Sequence, residues 1–540
     1  MNNHDIEYAL NYHESTKHSK SSIQLSQHYL DWDNKPRSFK FYENLRSVPL
    51  PVKFPKPTLN ALEAISRIDP IGQRPTNVDL EMIAEILFYS AGITREMKYS
   101  SGTIYMRAAS ATGALYPIEL YLFCKDIAGL GDGVYHFNPG DFTLTNLREG
   151  DHMMVLAEAA GDDSNITNAP LTIIFSSIAW RNAWKYRARS YRHWFWDAGV
   201  IASNLLATTV SMGLDTKLRV GFDDTRVNRL LGLQNRTEAS LALAIIGTGL
   251  SRSGGSNNTF DIQSLNFKII PLSRNEVQYP EIWKMHESSY LHDKYEVMDW
   301  DNVELIDNND TAYDTPKSHR RSLISKSNNT DYPSLSEIIL LRGSSRQFSR
   351  YPISFLQLSN ILHSCTQGIP LDFTKGKLSA IKIFFIVNNI EELNSGSYYF
   401  NRSMDSIDQL KKDIPRDISG NLCLGQSLFS DASVVFFIMT DLDLMLNTFG
   451  NRGYRAAQFE AGIIAGKIYL AAYAQGIGAS GSTFFDDAVT NFFSPHAKNK
   501  STMIAVGVGI PAYKSKSGKI LAGKWNRQQL LDDEIHKTMS

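Results

Sequence analysis

Apolar residues recur at helical spacing over Val78 to Ala91 and again over Ser354 to Ser364. Unbroken apolar runs at Ile118 to Cys124, Leu171 to Phe175 and Leu241 to Ile246 predict buried strands, as do Ile381 to Val387, Val434 to Met439 and Met503 to Val508. Before the last strand of each set lies a helix rich in Ala and Gly, Asp197 to Met212 and Glu460 to Gln475. The order helix, strand, strand, small-residue helix, strand therefore occurs twice. Each half predicts an α+β domain, and a stripe of small residues lets two helices approach closely, as in a tightly packed dimer.

The halves align when residue n is set against residue n+263. Gly113, Leu115 and Ile118 face Gly376, Leu378 and Ile381; Gly133, Tyr135, Phe137 and Asn138 face Gly396, Tyr398, Phe400 and Asn401. Tyr191, Arg192, Ala198 and Gly199 face Tyr454, Arg455, Ala461 and Gly462, and Phe222, Asp223, Asp224 and Asn228 face Phe485, Asp486, Asp487 and Asn491. A constant register over some hundred residues points to duplication of one domain. We divide the chain into an N-terminal extension (1–55), domain 1 (56–250), a linker or insertion (251–332), domain 2 (333–515) and a C-terminal tail (516–540). The polar stretches Ser251 to Asn258 and 300–332 suit a linker, whereas 259–299 carries enough Ile, Phe, Trp and Tyr to pack on a domain.

Composition narrows the function classes. At 540 residues two domains are expected, and a formal net charge of -1 offers no broad field for nucleic acid or an anionic membrane. Cys124, Cys365 and Cys423 lie far apart with no CxxC spacing, which argues against a disulfide framework, a zinc site or an iron–sulfur cluster and for a reducing, cytoplasmic setting. No secretion signal or membrane span is expected, because no apolar run reaches about 18 residues.

Candidate chemistry is divided unequally between the copies. Copy 2 opens with Arg342-Gly343-Ser344-Ser345-Arg346-Gln347-Phe348, two guanidiniums around two hydroxyls, which can hold a terminal phosphate or form a solvated basic turn. Setting Ile86-Leu87 against Ile361-Leu362 places Arg67, Asp69 and Ile71 opposite Arg342, Ser344 and Arg346, so copy 1 has a carboxylate where phosphate would bind. Copy 1 in turn has Ser110-Ala-Thr112-Gly113-Ala-Leu-Tyr116-Pro117 and Lys185-Tyr186, where copy 2 has Ser379-Ala380 and Thr448-Phe449. A lysine beside a tyrosine among arginines can act as a base or proton relay, or can simply be a basic helix face.

The segment Tyr12-His13-Glu14-Ser15-Thr16-Lys17-His18-Ser19, the RAASATGALYPIELYLF stretch, Lys185-Tyr186, RGSSRQF and GYRAAQFEAG together resemble the SagB-type, or thiazole/oxazole-oxidase-type, branch of the FMN-dependent nitroreductase family. The resemblance implies two tandem nitroreductase-like domains forming an intramolecular pseudo-dimer, with FMN at the interface; further homodimerisation stays open. It implies that Arg342, Ser344 and Arg346, with Lys514, hold the FMN phosphate. Gly481, Ser482, Thr483 and Phe484 would run beside the flavin ring, Ser110, Thr112 and Gly113 would approach from copy 1, and Lys185 and Tyr186 would be catalytic. Ser110-Ala111 departs from the Pro-Ser of many relatives.

The activity so implied is two-electron dehydrogenation of an azoline-like or peptide-derived substrate, served by a cyclodehydratase-type partner enzyme. An NAD(P)H-dependent reductase of nitro compounds, quinones or enones on the same fold is an alternative, as is a flavin-free scaffold or peptide-binding subunit. The complementary losses predict one FMN per chain, because only copy 2's cradle and copy 1's Lys-Tyr pair make a complete set.

Overall fold

The computed structural model describes the chain apart from Met1, Gln27 and residues 72–74, 76, 100–101, 249–261, 306–318, 325–331, 375–378 and 536–540. The Ser251 to Asn258 linker, the repeat positions Gly376 and Leu378 and much of the polar 300–332 stretch lie outside the described residues. In the first half, β1 (Ser47–Pro49) precedes β2 (Ile93–Tyr99), β3 (Gly102–Arg107), β4 (Ile118–Cys124), β5 (Gly133–Asn138), β6 (Thr143–Glu149), β7 (Leu171–Ile178), β8 (Thr216–Arg219) and β9 (Glu238–Ile246). The second half has β10 (Arg320–Ser322), β11 (Ile381–Val387), β12 (Gly396–Asn401), β13 (Ser406–Lys412), β14 (Val434–Asp441), β15 (Gly478–Ser482) and β16 (Lys500–Gly509).

Two seven-stranded sheets result, in the orders β1-β6-β5-β4-β7-β9-β8 and β10-β13-β12-β11-β14-β16-β15, while β2 and β3 form a separate hairpin. The orders correspond strand for strand, and a register irregularity between Phe175 and Ser176 recurs between Ile438 and Met439. The chain is thus a tandem pair of α+β domains. Each central strand is covered on both faces, which is why its apolar run is unbroken: Leu120, Leu122 and Cys124 of β4 enter the main core, while Tyr121 and Phe123 enter a second cluster on the other face.

The domains dock as a pseudo-dimer along two long helices, Ser190–Ser211 and Asn451–Ala474. Gly199 and Gly462 make this possible. A Cβ on Gly199 would stand 2.6 Å from both the Ile463 nitrogen and the Phe459 oxygen, and one on Gly462 would stand 2.7 Å from the Trp196 oxygen. Both helices begin several residues before the predicted Asp197 and Glu460, because their first turns bury arginines that only the other domain neutralises. Arg189 and Arg192 reach Asp486 at 3.1 and 2.8 Å, and Arg452 and Arg455 reach Asp224 at 2.5 and 2.7 Å. Burial alone would raise the Asp486 carboxyl, but Arg192 and Arg189 more than offset it and hold the group well below the usual range.

Segments outside the repeat tie the halves together. From the N-terminal helix Glu7–Ser15 and the residues after it, the Tyr12 hydroxyl donates to the Ala188 carbonyl, Thr16 Oγ1 accepts from Arg192, and the His18 N–H donates to Asp486. The C-terminal stretch returns to the first half, where the Tyr105 hydroxyl donates to Asp533 and Leu530 packs with Phe39, Phe41 and Ile93. Among the described residues no helix is long and apolar enough to cross a membrane.

Candidate active site

Lys185 and Tyr186 close the helix Ala179–Tyr186, which stops because Arg187 turns to φ 50° before the seam helix begins. Trp184 anchors this end by donating from Nε1 to the Asp31 carbonyl, leaving Lys185 and Tyr186 half-buried at the domain seam. The lysine ammonium lies 5.3 Å from the Tyr186 ring centre. Burial and the Arg346 guanidinium of the other domain lower the Lys185 pKa, whereas burial and Asp197 raise that of Tyr186. The pair therefore divides into a lysine that gives up its proton more readily than usual and a phenol that keeps its own.

The Tyr186 hydroxyl points at the Ser110 to Gly113 loop. A Cβ on Gly113 would lie 2.6 Å from it, and Gly113 sits at φ +63°, so glycine is required there twice over. Asp197 fixes this loop by accepting both the N–H and the hydroxyl of Thr112 at 2.8 Å. Burial raises the Asp197 carboxyl to about 7. Copy 2 has the same device, Glu460 accepting from the Ser379 hydroxyl and the Ala380 N–H. Beneath Tyr186, edge-on at 4.6 Å, lies His193, buried and kept neutral by burial and by Arg189 and Arg192.

Copy 2 supplies the opposite wall. Arg342 caps the helix Leu335–Leu341 and turns across the seam, donating to the carbonyls of Ala108 and Arg107 at 2.9 Å each, so much of its donor capacity is spent joining the domains. Arg346 is exposed and anchored by its backbone N–H on the Tyr513 hydroxyl, next to Lys514 in the chain. Tyr469 links the cradle to the strand: its hydroxyl lies 3.4 Å from that of Ser344 and accepts the Gly481 N–H. Beyond Gly481, Ser482 hydrogen-bonds the Thr483 carbonyl, and Arg189 of copy 1 donates to Thr483 Oγ1 at 3.1 Å. Phe484 is wholly buried, with Arg189 over its ring, so only its backbone can face the seam. Among the described residues, neither Lys185 nor Arg346 has a carboxylate partner, and the N–H groups of Thr483 and Phe484 meet no acceptor.

The structure thus brings Lys185, Tyr186 and the Thr112-Gly113 loop of copy 1 to the same seam as Arg342, Arg346 and Thr483 of copy 2, whereas Ser110 and Lys514 make no side-chain hydrogen bond or ion pair among the described residues. The sequence profile of the Nitroreductase family matches residues 74–249 and 339–510, more than half the chain. The chain belongs to the nitroreductase family. Among curated proteins, this nitroreductase-family chain is 26% identical over 155 residues to "Putative nitroreductase MJ1384" of Methanocaldococcus jannaschii, which covers 29% of the chain and 75% of that protein. It is 28% identical over 141 residues to the "Microcin B17-processing protein McbC" of Escherichia coli, covering 25% of the chain and 52%, about half, of McbC. The crystal structure of a putative nitroreductase from Anabaena variabilis matches over 93% of this chain and 99% of its own, with a TM-score of 0.71 and 24% identity, so the tandem fold extends to that protein.

Four residues of the site escaped the sequence reading. Asp197 and Glu460 occupy matching positions of the repeat, and an acid on an otherwise small and apolar helix stripe was the available signal. Tyr469 and His193 face Leu206 and Ala456 at the same offset, so comparing the copies would have marked both as one-sided.

Proposed function

We propose that this oxidoreductase is an FMN-dependent dehydrogenase of the SagB type, removing two electrons from an azoline-like ring or a related peptide-derived bond. The observation that carries the reading is the meeting of Lys185-Tyr186 of copy 1 with Arg346, Ser344 and the Gly481–Thr483 strand of copy 2. The name of McbC as a microcin-processing protein supports a peptide-derived substrate. The site has the donors such a cofactor needs. Arg346 and the Ser344 hydroxyl would hold the phosphate dianion with Lys514 nearby, Arg342 would add a donor not spent on the seam, and the N–H groups of Thr483 and Phe484 would meet the ring edge.

When bound, FMN supplies the two-electron acceptor. Lys185, with its lowered pKa, takes the proton from the ring carbon, and protonated Tyr186 donates a hydrogen bond that orients the substrate. Ser110 and Thr112 would approach the cofactor from copy 1. An azoline arises by cyclodehydration of a Cys, Ser or Thr side chain onto the preceding carbonyl, so a cyclodehydratase-type partner would supply the substrate.

The test is anaerobic mixing of the flavin-loaded chain with a synthetic thiazoline-bearing peptide. We expect the flavin to bleach, and Lys185→Ala to keep its flavin while losing about 10²- to 10⁴-fold in rate. The wild-type rate should rise with pH through the lowered lysine pKa, because the base is the neutral amine. Rapid bleaching by NAD(P)H, with none by the thiazoline, would select the reductase alternative.

A further inference from the structure

The pseudo-twofold axis that generates the site described above also generates a second seam position, built from the mirror-image elements. Arg67 caps its helix, Ala61–Ser66, as Arg342 caps Leu335–Leu341; Leu218 to Gly221 correspond to Gly481 to Phe484; and Thr448 and Phe449 stand for Lys185 and Tyr186. The sequence suggested that Asp69 disables this position by repelling phosphate. Asp69 is exposed, and the decisive features are elsewhere.

The strand at the mirrored position is capped by protein. Leu218 donates to the Pro370 carbonyl and forms a parallel bridge with Leu371. The next residue of that segment, Asp372, accepts the N–H groups of Val220 and Gly221 at 3.0 and 2.8 Å. These are the counterparts of the Thr483 and Phe484 N–H groups. The same carboxylate oxygen accepts the Trp300 indole N–H at 3.1 Å, and that indole lies so close to Gly221 that a Cβ there would stand 2.6 Å from its Nε1. Trp300 also packs on Phe449 at 4.9 Å and on Phe373 at 6.2 Å between ring centres, filling the space beside the Tyr186 counterpart.

The cradle end is closed in the same way. Arg67 turns outward to Glu63 at 2.6 Å. The buried Lys467 ammonium donates to the carbonyls of Ile65, Gln367 and Gly368, and Gly368 packs directly against the Arg67 backbone. Tyr469, which links cradle to strand in the first position, is replaced by Leu206.

We propose that the second, symmetry-related cofactor position is filled by the chain's own residues, with Asp372 standing where a ligand acceptor would sit and Trp300 where a ring would lie, so that the protein has one flavin seat and one structural keystone. The proposal rests on the FMN reading given above. It differs from simple decay, because the Val220 and Gly221 N–H groups, the counterparts of the donors at the first position, have an internal acceptor in Asp372, and a keystone of this kind stabilises the seam in the absence of cofactor.

The test is the amount of flavin released on denaturing the full-length chain after saturation with FMN. One flavin per chain is expected. Two would overturn the filled second seat while leaving the cofactor reading intact, and none would overturn the cofactor reading and the proposal with it. Arg346→Ala should lose at least tenfold in FMN affinity, whereas Arg67→Ala should bind as the wild type does; a comparable loss in Arg67→Ala would overturn the assignment. Asp372→Ala should melt at a lower temperature with its flavin content unchanged, and a fall in flavin content would place Asp372 in a live seat and refute the proposal.

Discussion

Asp197 shows how one side chain sets both the shape and the pH response of the site. Its carboxylate holds the loop that brings Gly113 against the Tyr186 hydroxyl, yet burial raises its pKa from the usual carboxylate range to about 7. A carboxyl with a raised native pKa binds more protons folded than unfolded, so its contribution to stability is complete below about pH 4 and is lost as pH rises to about 7. Asp197→Asn keeps an acceptor for Thr112 without a charge. It is expected to abolish that slope and to be more stable than the wild type at pH 8 in chemical denaturation. Asp197→Ala instead leaves the Thr112 N–H unpaired and should cost about 1–3 kcal/mol. Such roles were invisible at this scale in the sequence: Lys185 and Tyr186 stood out as an adjacent pair missing from copy 2, but nothing along the chain tells a buried acid from a solvated one.

At the level of elements, the seam is a helix pair whose glycines are fixed by backbone contact. Gly462 faces the Trp196 and Phe195 carbonyl oxygens at distances of 2.7 and 2.8 Å from where a Cβ would sit, and carbonyl oxygens of a packed helix cannot rotate away. Gly462→Val should therefore destabilise by at least the ~1–3 kcal/mol of ordinary overpacking and shift the thermal midpoint downward. Gly131→Ala, whose Cβ would meet nothing nearer than the Tyr135 hydroxyl at 3.6 Å, serves as the control and should change little. An unaltered midpoint in Gly462→Val would mean the helices are not held at this distance. The small-residue stripe was legible in the sequence and so was close packing. The early start of both helices was not, because Arg189, Arg192, Arg452 and Arg455 look like surface charge until their partners are known.

For the molecule as a whole, the two Arg–Asp clusters are alike in form and unequal in consequence. Asp486 holds Arg189, which in turn holds Thr483 at the proposed cofactor strand, whereas Asp224 lies on the side closed by Asp372 and Trp300. Removing either carboxylate charge leaves two buried guanidiniums uncompensated, an expected loss of about 3–5 kcal/mol. Asp486→Asn should in addition weaken FMN binding, while Asp224→Asn should leave it unchanged; equal effects on binding would contradict the division into a live and a filled side. The sequence by itself determined the duplication, the α+β character of each half and the asymmetry of chemistry between copies, since repeats, periodicity and missing residues are properties of order along the chain. Only the tertiary structure decided that Arg342 serves the seam, that Tyr469 and Asp197 shape the site, and that Asp372, Trp300 and Lys467 close its mirror image. Those outcomes depend on groups far apart in sequence meeting at a buried interface, where each donor and acceptor must find a partner in space.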